Sequence, residues 1–128
     1  MNHLAAPDHA SLLYKRILVV EDEDFLYQAL RDSLHDAGCE VFGSCERVCD
    51  RVDTVPAGRL DAALVDMDPL GSRRAASLAQ QLGDRSIPIV WITARPNSNV
   101  APDSQTSERL SKPFTERELL DSIACAIR

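Results

Sequence analysis

Two runs of four apolar residues, Ile17-Leu18-Val19-Val20 and Ala62-Ala63-Leu64-Val65, end abruptly on acid: Glu21-Asp22-Glu23-Asp24 after the first, Asp66 after the second. A continuous apolar run this short is too brief for a helix and suits a strand buried on both faces. Such a strand must be covered on both sides, so this one feature already demands an α/β layering. The intervening pattern agrees. Leu26, Ala29, Leu30, Ser33, Leu34 and Ala37 recur at helical spacing, with Asp24 placed as N-cap and Gly38 as the residue past the C-terminus. Val41-Phe42 marks a short second strand, and Ser44 can open a helix through about residue 52, ended by Pro56 and Gly58.

The rest of the chain continues the alternation. Residues 67–71 read as a turn, and a helix is expected over 73–82, closed by Gly83. Residues 87–93 form the expected fourth strand, 95–107 an irregular stretch, and Leu110 the centre of a very short fifth strand. Thr115 with Glu118 makes a capping box for a last helix whose Leu119, Leu120, Ile123, Ala124 and Ile127 face inward. Residues 1–15 read as a loose N-terminal arm with one helical turn, and 16–128 as a single domain.

Charge and cysteine usage narrow the function classes. With 14 Lys+Arg against 20 Asp+Glu the net charge is −6, which disfavours a direct nucleic-acid binder, since phosphate neutralisation needs clustered basic residues. No apolar run approaches the roughly 18 residues of a membrane span, and residues 1–15 lack the pattern of a secretory signal. The four cysteines form no C-x-x-C pair and read as reduced thiols of a cytoplasmic protein.

Alternating strands and helices imply a parallel sheet with right-handed crossovers. For five strands the order 2-1-3-4-5, a flavodoxin-like three-layer sandwich, is expected, with its site at the carboxyl ends of strands one and three. That rule selects Glu21 and Asp22 after strand one, Asp66 after strand three, Thr93 after strand four and Lys112 after strand five. Each has an ordinary reading alone. Acids in a first helical turn, such as Glu23 and Asp24, are commonly dipole partners worth a few tenths of a kcal/mol. An Asp after a strand is commonly a turn residue. Together they differ: several carboxylates in one crevice repel unless a cation lies between them, and hard oxygen ligands suit Mg²⁺. A hydroxyl and an ammonium facing that cation suit a phosphoryl group, and an Asp beside Mg²⁺ can be a nucleophile.

These residues resemble the receiver domain of two-component response regulators, over about residues 16–128. The carriers are Ile17-Leu18-Val19-Val20-Glu21-Asp22-Glu23, Asp61-Ala62-Ala63-Leu64-Val65-Asp66, Ile87-Pro88-Ile89-Val90-Trp91-Ile92-Thr93-Ala94 and Lys112-Pro113-Phe114. The resemblance implies that Asp66 takes a phosphoryl group from a phosphohistidine. It implies Mg²⁺ (or Mn²⁺) held by Asp22, Asp66 and the backbone carbonyl of Asp68, with Glu21 acting through water. Thr93 and Lys112 would contact the phosphoryl oxygens, Ala94 would leave them room, and the peptide before Pro113 would be cis. The implied partners are a sensor histidine kinase or a histidine phosphotransfer protein, and an output protein that the sequence does not name; a homodimer is among the assemblies implied. Such a domain labels itself and is not a turnover enzyme.

Several positions depart from the family pattern. Leu-Pro is reversed as Pro69-Leu70, Arg74 replaces a glycine, and Arg109 stands where an aromatic switch residue is usual. The 19 positions from Thr93 to Lys112 are a few short, so the fourth helix is expected to be short or missing, as in a subgroup of single-domain receivers. Phosphorylation is then expected to reorder residues 95–107, and Arg109 to be a solvated or partner-facing charge. The chain is expected to be a stand-alone receiver or one excised from a longer protein. Two other readings compete. A receiver-like module could bind partners independently of phosphorylation. A small haloacid-dehalogenase-type phosphatase would share Asp66-Met67-Asp68 but would place the remaining acids after that motif.

Overall fold

The apolar runs are the central strands. The computed structural model describes residues 9–43, 59–70, 72–94 and 107–127. Strands β1 (Arg16–Val20), β2 (Glu40–Phe42), β3 (Ala62–Asp66), β4 (Ile89–Thr93) and β5 (Ser107–Ser111) form one sheet in the order β2-β1-β3-β4-β5. Every pairing is parallel: Val65 lies opposite Val20 on one side and Trp91 on the other, and Thr93 lies opposite Ser111. This is the expected flavodoxin-like order.

Helices α1 (Asp24–Asp36), α2 (Ser72–Asp84) and α3 (Glu116–Ile127) supply the outer layers. Successive strand residues point to opposite faces, so the core divides in two. Ile17, Val19, Leu64 and Ile92 pack with Leu30 and Leu34 of α1 and Leu119 and Ile123 of α3. Leu18, Val20, Val65 and Trp91 pack on the other face with Ala75, Leu78 and Leu82 of α2. Every residue of β3 and β4 is buried, which is why these runs carry no alternation of polar and apolar residues. Among the described residues no helix is long and apolar enough to cross a membrane.

The helix ends show which local signals acted. Thr115 and Glu118 form the reciprocal capping box: Thr115 N–H donates to Glu118 Oε1 at 2.8 Å, and Glu118 N–H donates to Thr115 Oγ1 at 3.1 Å. At α1 the cap is Glu23, not Asp24, because Tyr27 N–H already donates to the Glu23 carbonyl at 2.8 Å. Gly83 does not close α2. It lies inside the helix, and Ser86, at φ 58°, makes the left-handed exit, its N–H donating to the Gly83 carbonyl at 2.9 Å. Residues 67–70, expected as a turn, form a single helical turn, Met67–Leu70.

β5 is longer than its one apolar residue implied. Its backbone pairs with β4 from Ser107 to Ser111, and an edge strand pairs through peptide groups whatever its side chains. The segment expected as a loose arm is packed in its described part. His9–Leu12 is a 3₁₀ turn, Leu12 is fully buried against the α1–α3 face of the core, and His9 Nε2 lies 2.5 Å from Asp121 Oδ1 on α3. Tyr14 N–H donates to the Gly38 carbonyl at 2.8 Å. Gly38, at φ 91°, sits in a backbone conformation that strains any other side chain, and a Cβ there would also displace the Leu13 side chain, 2.5 Å away. The helix expected over 44–52 and the shortened fourth-helix region of 95–106 lie outside the described residues.

Candidate functional site

Sheet topology brings four chain segments to one edge. Glu21 follows β1, Asp66 ends β3, Thr93 ends β4, and all three are buried, none more than 4% exposed. Lys112 follows β5, and its backbone N–H donates to the Thr93 carbonyl at 2.9 Å, which extends the β4–β5 pairing into the site. The Lys112–Pro113 peptide is cis.

The Lys112 ammonium sits between two carboxylates, 2.7 Å from Asp66 Oδ2 and 3.1 Å from Asp68 Oδ2. Burial works against its charge, but the two carboxylates outweigh that and hold its pKa above the ordinary lysine value. Asp66 Oδ1 accepts the Asp68 N–H at 2.9 Å, so both oxygens of Asp66 are occupied by donors. The Asp68 carboxylate also accepts the Thr93 hydroxyl at 3.2 Å and the Ala94 N–H at 3.1 Å. Burial tends to raise the Asp68 pKa. The bonds from Lys112, Ala94 and Thr93 prevail and keep it below the usual carboxylate range.

Glu21 is the member left incompletely hydrogen-bonded. Its Oε2 accepts the Glu23 N–H at 2.9 Å, while its buried Oε1 has no partner. Burial, and then the neighbouring Asp66 carboxyl, push its pKa up to about 8. Three carboxyl groups therefore share one ammonium, and Glu21 is the one disposed to keep its proton.

Of the residues selected from sequence, the structure brings together Glu21, Asp66, Asp68, Thr93, Ala94 and Lys112. Asp22 and Arg109 are exposed, Arg109 on the edge strand opposite Trp91. Among the described residues no group of three or more acidic, His or Cys side chains is arranged to hold a metal ion. What the edge offers a hard cation is narrower: an orphaned buried oxygen on Glu21, the adjoining Asp66 carboxylate and a surplus of negative charge. That donor set fits Mg²⁺, which takes one or two carboxylates and fills its remaining positions with water and phosphate oxygens. The sequence marks Asp68, two residues past Asp66, as a position whose added negative charge tunes the phosphoryl chemistry in a direction it does not give; the structure adds which donors its carboxylate holds. The available signal was an acid two residues beyond a strand-terminal acid.

Comparison with known proteins places this geometry. The family described as "Response regulator receiver domain" matches residues 17–124. The transcriptional regulatory protein PdtaR of Mycobacterium tuberculosis is 26% identical over 117 residues, covering 88% of this chain and 57% of that protein, so the chain spans little more than half the length of that relative. A response regulator receiver protein from Sinorhizobium medicae is 25% identical, with 89% of this chain and 94% of that one covered and a TM-score of 0.67. The receiver domain of sensor histidine kinase PA1611 from Pseudomonas aeruginosa shares the fold at 23% identity and a TM-score of 0.65, with 89% of this chain and 98% of that one covered. That crystal structure has a magnesium ion coordinated in the active site cleft.

Proposed function

Since the chain belongs to the response regulator receiver domain family, we propose that it is a phosphoacceptor in a two-component or phosphorelay pathway, with Asp66 as the acceptor. The observation that supports this most directly is the convergence of Asp66, Thr93 and Lys112 from three strand ends, with Lys112 Nζ 2.7 Å from Asp66 Oδ2. An Asp66 oxygen forms the new P–O bond as the P–N bond to a donor phosphohistidine breaks, and the imidazole leaves with a proton. Lys112 orients the acceptor carboxylate and balances the incoming negative charge, Thr93 donates its hydroxyl to a phosphoryl oxygen, and Ala94 leaves the space a larger side chain would fill.

Mg²⁺ (or Mn²⁺) would be held by Asp66 and the Asp68 carbonyl, with Glu21 through water and with Asp22, exposed in this structure, turned in as a further ligand, and would offset the charge shared by phosphoryl donor and acceptor. A groove of about 470 Å³ between α1 and α3 adjoins Lys112 and is lined by Leu26, Leu30, Phe114 and Leu119. With Phe25 exposed nearby on α1, it offers a face to a histidine kinase or phosphotransfer protein. The domain labels itself and hands on a state or a phosphoryl group; it is not a turnover enzyme.

The test is incubation with Mg²⁺ and acetyl phosphate, read by intact mass. One added phosphoryl group, absent in Asp66→Asn, is expected. A phosphorylation-independent module is favoured by one observation, that Asp68 already engages Thr93, Ala94 and Lys112. No mass increase under any donor, in the wild type and in Asp68→Ala alike, would select that reading.

A further inference from the structure

The Asp68 carboxylate holds three groups at once: the Thr93 hydroxyl at 3.2 Å, the Ala94 N–H at 3.1 Å and the Lys112 ammonium at 3.1 Å. These come from the ends of two different strands, β4 and β5, and converge on one anion. Their chemistry is that of an oxyanion cradle: one hydroxyl, one backbone N–H and one ammonium. A phosphoryl group on Asp66 would present its oxygens to the same donors, because Lys112 already bridges Asp66 and Asp68. Two anions do not share three donors. The Asp68 side chain is also tethered, since its own N–H donates to Asp66 Oδ1 at 2.9 Å, so it competes as an intramolecular ligand at high effective concentration.

Building on the phosphoacceptor reading, we propose that the Asp68 side chain is a built-in stand-in for the phosphoryl group, filling its oxygen-binding position in the unmodified protein and leaving when Asp66 is phosphorylated. Two features make the exchange feasible. The Asp68 side chain is 33% exposed, so it can turn into water without being buried unpaired. Thr93 is 4% exposed and remains in place to meet the replacement. The device has two consequences. Asp68 slows phosphorylation by occupying the donors the reaction needs. It also draws Thr93 and Ala94 toward the site before any phosphoryl group arrives, which narrows the difference between the resting and modified states.

Initial rates of labelling by acetyl phosphate with Mg²⁺, on the full chain and read by intact mass, test this in the wild type, Asp68→Ala, Asp68→Asn and Asp66→Asn. Loss of a charge-assisted competitor predicts labelling about tenfold faster in Asp68→Ala, with Asp68→Asn between it and the wild type. Labelling of the Asp68 variants alone, with none in the wild type, supports the stand-in more strongly still. Equal or slower initial rates in both Asp68 variants overturn the stand-in and leave the phosphoacceptor reading intact. No label in any protein overturns that reading and the stand-in with it. Should Asp68→Ala fold poorly, the nearly isosteric Asp68→Asn decides. A second readout needs no donor: in Asp68→Asn the Ala94 amide proton resonance is expected to move upfield as its charged acceptor is lost, and an unmoved resonance counts against the contact.

Discussion

Lys112 Nζ reaches from the end of β5 to within 2.7 Å of Asp66 Oδ2 at the end of β3, and the two residues are separated by 46 positions in the chain. This contact crosses the intervening strand β4 and gives the acidic edge its cation. Removing one partner of a buried ion pair typically costs about 3–5 kcal/mol, because the other charge is left without compensation. Lys112 is partly exposed, so Lys112→Met is expected to lose about 1–3 kcal/mol in metal-free buffer. Adding Mg²⁺ should restore part of it. Urea denaturation with and without the cation measures both, and a loss below about 0.5 kcal/mol would reject the role given to this pair.

Glu21 predicts a pH dependence. Its pKa rises from 4.5 to about 8 in the folded chain, so the folded state keeps this proton where the unfolded state has lost it. Its contribution is therefore most favourable below pH 4.5 and is lost progressively as pH rises toward 8. In metal-free buffer, stability should fall across that interval more steeply in the wild type than in Glu21→Gln. Mg²⁺, which favours the charged carboxylate, should flatten the slope. Identical slopes for wild type and variant would remove Glu21 from the account.

Leu12 precedes the segment matched by the family, yet it is fully buried in the core. Leu12→Ala is expected to cost about 2–5 kcal/mol, the range for emptying a packed leucine site. His9→Ala, which removes a partly exposed contact with Asp121, should cost under about 1 kcal/mol. Denaturant midpoints at matched slope separate the two, and a Leu12→Ala loss as small as that of His9→Ala would mean the arm is not part of the core.

Cys39 should be inert while the chain is folded. Burial, and then the nearby Asp61 carboxylate, raise its thiol pKa to about 11, and its Sγ–H points at the Leu12 carbonyl 3.4 Å away. At pH 8 only about one thiol in a thousand is then ionised. Iodoacetamide followed by peptide mapping should label Cys39 only after denaturant is added, and ready native-state labelling would contradict this burial.

Much of the fold was legible because its signals are local. The β1 and β3 runs, the Thr115–Glu118 capping box and the Gly38 helix exit each depend on a few neighbouring residues. The errors have a common cause. Gly83 and Asp24 were residues with the right propensity one or more positions from where the backbone turned, and in each case a neighbour, Ser86 or Glu23, supplied the geometry. The length of β5 was invisible because Ser107, Glu108, Arg109 and Ser111 pair through their peptide groups. Burial of Leu12 was hidden because two adjacent leucines, Leu12 and Leu13, in a short mixed segment have no period that says which one turns inward.

By itself the sequence determined the layering and the set of acids, hydroxyl and ammonium expected to share one sheet edge, and it made 2-1-3-4-5 the leading expectation for the strand order. These follow from hydrophobic period and from the rule that open parallel sheets place their sites at the carboxyl ends of the strands. Only the tertiary structure decided how those groups pair: that Lys112 serves two carboxylates, that Glu21 keeps one oxygen without a partner, and that the Asp68 side chain gathers Thr93, Ala94 and Lys112. The reason is range. Periodicity is written over a few residues, whereas a hydrogen bond between Thr93 and Asp68 depends on two segments 25 positions apart arriving within 3.2 Å, a distance set by packing on both faces of the sheet.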